Sequence, residues 1–130
     1  MFDLDFEQTQ GKIKEIIKER WEQGIAAGVR AIMLLSKEGL PITSEITTAD
    51  LEEAEIAAMA ASILGVADMA AVRMDQGELE QVLMTNEKGY IVITSAGEKA
   101  ILVLAAAKSS RTGALVYEAK TMAEKIAPLL

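Results

Sequence analysis

The chain has 130 residues and a mass of 14.0 kDa; 51% of its residues are hydrophobic, and 13 basic against 20 acidic residues leave a net charge of −7. That length suits one domain with its own core, and the acidic balance disfavours nucleic acid and anionic lipid as partners. With no Cys and no His, disulfides, zinc fingers, thiolate nucleophiles and imidazole bases are excluded, so any catalysis would rest on carboxylates, Lys or backbone groups.

The N-terminus, MFDLDFEQTQ, has neither the basic start nor the apolar run of a signal peptide. The longest uncharged apolar run, Ile56 to Ala67, falls short of the ~20 residues that a membrane span needs. The expectation is a soluble, cytoplasmic protein.

A first helix is expected from Phe6 to Gln23, with Ile13, Ile16, Ile17 and Trp21 on one stripe. Gly24 and Gly28 mark its exit. Val29 to Ser36 reads as a strand that is apolar on both faces after Arg30 and so covered on both. Lys37-Glu38-Gly39 reads as a hairpin turn with Gly in the left-handed position. Leu40 to Ser44 returns as a short strand, placed at a sheet edge because Pro41 lacks a donor.

Thr48-Ala49-Asp50 offers cap oxygens for a long helix from Leu51 toward Met74, loosened at Gly65. Glu52, Glu53 and Glu55 complement its positive end; three carboxylates in one turn diverge too far to hold a cation. Its middle, IAAMAASILGVA, is apolar around the whole circumference. One side can pack on a sheet, and the other must meet something else. Met59, Ile63, Val66 and Ala70 are therefore read as a partner-facing stripe.

Asp75-Gln76-Gly77 breaks this helix. Glu78 to Thr85 reads as a strand in which Leu79, Val82 and Met84 pair across a dimer, against the reading of an edge guarded by Glu78 and Glu80. Asn86 to Gly89 is a turn, Tyr90 to Thr94 a β-branched strand, and Ser95 to Glu98 a turn. Ala100 to Ala106 is the most apolar strand, expected at the centre. A last helix carries Leu115, Ala119, Met122 and Ile126, and Pro128 ends it.

The order is thus α-β-β-α-β-β-β-α, an α+β chain with an antiparallel sheet. In this order the chain resembles the roadblock / dynein light chain family. The resemblance rests on Gly28-Val29, Lys37 to Ile42, the run AAMAASILGVADMAAVRMDQGELEQVLM from Ala57 to Met84, and Lys88 to Ile93. Where family members commonly carry Asn-Leu-Gly before the last helix, this chain reads Arg111-Thr112-Gly113.

The resemblance implies one roadblock-type domain over residues 1–130. It implies a five-stranded antiparallel sheet with one long helix on one face and two on the other, akin to longins and profilins. It also implies homo- or heterodimers formed through the long helices and third strands, without enzymatic activity or cofactors. The implied role is binding or regulating small Ras-like GTPases, or else scaffolding a motor or cytoskeletal complex.

Arg30, Arg73 and Arg111 could each act as an arginine finger for a GTPase, but are read as solvated surface side chains. No GxxxxGK[ST] loop is present, and Gly24-x-x-x-Gly28 lacks the Lys, so the chain is not itself expected to be a GTPase. A carboxylate enzyme using Glu38 or Asp75 is the rival class. It is weakened because no paired acids converge in the sequence.

Overall fold

A computed structural model describes residues 2–24, 28–47 and 52–130. The elements run α1 (Phe2–Gly24), β1 (Val29–Ser36), β2 (Pro41–Ile46), α2 (Glu53–Arg73), β3 (Gln81–Thr85), β4 (Gly89–Ala96), β5 (Ala100–Ala107) and α3 (Thr112–Ile126). A 3-10 turn, Ala127–Leu129, holds Pro128 and follows α3. The expected order is observed.

All strand pairs are antiparallel, and the sheet order is β2-β1-β5-β4-β3. The apolar β5 is central, and β2, with Pro41, is an edge, as the sequence indicates. Alternation along the strands sends side chains to two separate cores. Ile32, Leu34, Val92, Leu102 and Leu104 pack with Ile13 and Ile17 of α1 and with Leu115, Ala119, Met122 and Ile126 of α3. Met33, Leu35, Ile93, Ile101 and Val103 pack with Ala57, Ala60 and Leu64 of α2. Two helices therefore cover one face of the sheet and α2 alone covers the other. On their shared face, α1 lies over β1 and β2, and α3 over β4 and β5.

Several boundaries differ from expectation. Helix α1 begins at Phe2 rather than Phe6. Helix α2 runs unbroken through Gly65, whose backbone is held by helical neighbours on both sides. Its N-cap is Glu52, which makes no side-chain cap bond; the expected cap residues Thr48 to Asp50, and Leu51, lie outside the described residues. Strand β3 starts at Gln81, not Glu78, because β4 beyond Thr94 finds its partners only in β5. Leu79 is thus outside the ladder.

At two glycines a side chain would be strained or would clash. Gly39 has φ +93 in the β1–β2 turn, and a Cβ there would crowd Ala61 of α2. Gly89 lies so close to β5 that a Cβ would collide with the Ala106 carbonyl oxygen.

Candidate interaction surface

The surface centres on α2. Its buried residues are Ala57, Ala60 and Leu64, none of them beyond the helix middle by more than one residue. Beyond Leu64 no residue of the helix is buried; Ala67 and Ala71 reach only half-burial. Met59 (51%), Val66 (66%), Met69 (55%), Val72 (65%) and Met74 just past its end (71%) are exposed. Around the helix Met59, Val66 and Met69 fall within about 80° of one another, with Val72 and Met74 roughly 60° to either side, more apolar surface than scattered exposure supplies. By length and composition Glu53–Arg73 is long and apolar enough to cross a membrane. The run-length expectation missed this because it stopped at the first charge; in the fold the N-terminal half of the helix lies on the sheet.

The anticipated stripe divides. Met59, Val66 and Ala70 are exposed, whereas Ile63 is half-buried against the sheet. At 100° per residue the four share a stripe about 120° around the helix from Ala57, Ala60 and Leu64. Leu79, Val82 and Met84 are also half-buried, packing beside Ile91 against the α2-side core. A single α2 leaves the β3–β4 end of that face partly open. Sequence reading missed Met69, Val72 and Met74. The periodic signal was present, since Met69 follows Val66 by three, but a stripe drawn only through the helix centre excludes them.

The two sheet edges differ. Strand β2 carries Pro41, Glu45 and a register shift opposite Leu34 and Leu35, the usual guards against edge pairing. Strand β3, QVLMT, carries no charge, and Glu78 and Glu80 precede its ladder. Leu83 on this edge is 42% exposed.

Charge frames the apolar patch. Glu52, Glu53 and Glu55 lie at the α2 start, with Asp68, Arg73 and Asp75 toward its end, all exposed. The Ser44 hydroxyl donates to Glu53 Oε1 at 2.7 Å, tying β2 to the first turn of α2. Glu38 neighbours Gly39, which meets Ala58 and Ala61, while Asp75 follows the far end of α2. Helix rise puts these two carboxylates roughly 20 Å apart, too far to share a substrate atom. Among the described residues no three carboxylates gather closely enough to hold a metal ion. Arg30 and Arg111 are exposed and lie away from α2, on β1 and before α3.

A sequence model of the Roadblock/LC7 domain matches residues 22–106. The chain belongs to the Roadblock/LC7 family. It is 32% identical over 99 residues to uncharacterized protein MJ1340 of Methanocaldococcus jannaschii, covering 76% of this chain and 85% of the relative. Its fold is similar to that of an MglB protein solved with a tetrameric arrangement, at TM-score 0.81 and 18% identity, covering 93% and 89% of the two chains. It is also similar to the Roadblock/LC7 domain of Streptomyces avermitilis, at TM-score 0.71 and 22% identity, covering 78% and 84%. The match to the family model includes α2 and β3, the elements that carry the exposed surface.

Proposed function

We propose that this Roadblock/LC7 chain is a non-enzymatic, homodimeric interaction module whose partner is a small Ras-like GTPase. The carrying observation is the stretch of α2 beyond Leu64, which is largely apolar yet buries no residue in the single chain. In a two-fold pair the same patch serves both copies. The uncharged β3 edge would join its equivalent, and each α2 would lie beside the other above Val82, Met84 and Ile91. Met59, Ile63, Val66 and Ala70 then line the helix contact, and Leu79, Val82 and Met84 border the strand contact.

Magnitudes support using both elements. Covering the exposed half of one such side chain contributes about 1 kcal/mol. Met59, Val66 and Met69 in two copies give about 6 kcal/mol gross, against an association cost of roughly 4–15 kcal/mol. The helix stripe alone is therefore marginal, and strand pairing at β3 makes the difference.

The GTPase rests on the family resemblance, and the self-association is in keeping with the tetrameric arrangement of the similar MglB protein. The paired helices would be apolar in the middle and acidic at their ends, which suits a partner with an apolar patch rimmed by Lys or Arg. Titrating the purified protein with GDP- and GTP-loaded Ras-like GTPases at two ionic strengths tests this. Association should slow at high salt while dissociation changes little. No binding to either nucleotide state, or GTP hydrolysis by this chain alone, contradicts the reading.

A further inference from the structure

The face opposite α2 holds an open groove of about 410 Å3 between α3 and the β3 side of the sheet. Gln81, Thr94 and Ser95 line it from the sheet; Val116, Lys120 and Ala123 line it from α3. Two hydrogen bonds fix its shape. The Thr94 hydroxyl donates to the Glu80 carbonyl at 3.2 Å, and Gln81 Nε2 donates to the Val116 carbonyl at 3.4 Å. Leu83 pairs with Val92 and so faces the same side, continuing the floor to the sheet edge.

In a single chain this groove is open toward the β3 edge. We propose that the groove and its copy in the dimer merge into one trough that binds an amphipathic α-helix of a partner protein, its apolar stripe flanked by Lys or Arg. The proposal rests on the β3 pairing proposed above, because each trough wall comes from a different copy.

The dimensions select the occupant. Strands stand about 4.8 Å apart, so α3, lying over β4 and β5, sits roughly 8–10 Å from the dyad between two joined β3 strands. The two α3 axes are then about 16–20 Å apart, and packed helices lie 8–10 Å apart. One helix fills that space in contact with both walls. Ala123 and Ala127 keep the wall low and let its backbone approach, while the exposed Leu83 of both copies meets its apolar stripe. Glu80 and Glu124 border each groove, and Lys120 forms no ion pair with either among the described residues. Each copy therefore contributes two carboxylates against one ammonium, which favours a helix with basic flanks.

The test uses the full chain, 15N-labelled, and a synthetic Leu/Ala/Lys amphipathic helix of about 18 residues, five turns. Amide shifts are expected at Leu83, Val116, Lys120 and Ala123, with one peptide bound per two chains. Lys120→Trp fills the groove from its exposed wall and should weaken binding tenfold or more while sedimentation stays unchanged. A dimer whose shifts are absent, fall on α2, or come with one peptide per chain overturns the trough and leaves the dimer standing. Shifts along β3 with loss of the dimer would mean that an extended peptide adds to the edge, and also overturn it. A monomer in sedimentation overturns the β3 pairing and the trough together.

Discussion

Asp75 is the one described non-glycine residue with positive φ, at +58, and it sits where α2 must stop. The Gln76 N–H bonds the Ala71 carbonyl at 2.8 Å and the Asp75 N–H bonds the Val72 carbonyl at 3.1 Å. This is the paired bonding of a Schellman ending, with Asp in the position that glycine usually fills. Asp75→Gly should raise unfolding stability by about 0.5–1 kcal/mol, read in a urea titration. An unchanged or lower midpoint would mean that the Asp75 side chain offsets its own backbone strain. Gly89→Ala should have the opposite effect, because the new methyl meets the Ala106 carbonyl of an adjacent strand. A loss of about 2 kcal/mol or more is expected, and a loss below 0.5 kcal/mol would show that the β4–β5 ladder moves freely. Both turns were legible in the sequence as Asp-Gln-Gly and Lys-Gly-Tyr. What Gly89 approaches was not, since that depends on a strand distant in sequence.

At the scale of elements, α2 and β3 carry the candidate interaction surface. The apolar circumference of α2 was readable from IAAMAASILGVA, and it predicted a second cover besides the sheet. Which half of the helix the sheet covers was not readable, because periodicity gives the angle of a face but not the reach of the surface beneath it. The division now separates two kinds of substitution. Leu64→Lys places an ammonium in the core between α2 and the sheet and should cost several kcal/mol of monomer stability. Val66→Lys and Met59→Lys act on exposed positions and should weaken self-association by tenfold or more with little change in monomer stability. If Val66→Lys melts as Leu64→Lys does, the C-terminal half of α2 is core and not surface. For β3 the alternation Glu-Leu-Glu suggested an earlier start than the ladder allows. Pairing partners in β4, not local pattern, decide where a strand begins.

At the scale of the molecule, the element order and the antiparallel sheet followed from turn residues between short apolar runs. Hairpin turns make β1–β2, β3–β4 and β4–β5 neighbours, so only the β1–β5 junction had to come from the fold. That junction leaves β2 and β3 as the two edges, one guarded by Pro41, Glu45 and a bulge and the other bare. The candidate site therefore arises from the whole arrangement: an uncharged edge and an uncovered helix at the same side of the sheet. Its central claim is that a second copy covers both. Sedimentation equilibrium at low micromolar concentration tests this most directly. The wild-type chain should run at about twice 14.0 kDa, with Val66→Lys shifted toward the monomer. A wild-type chain that stays at 14.0 kDa under those conditions would contradict it.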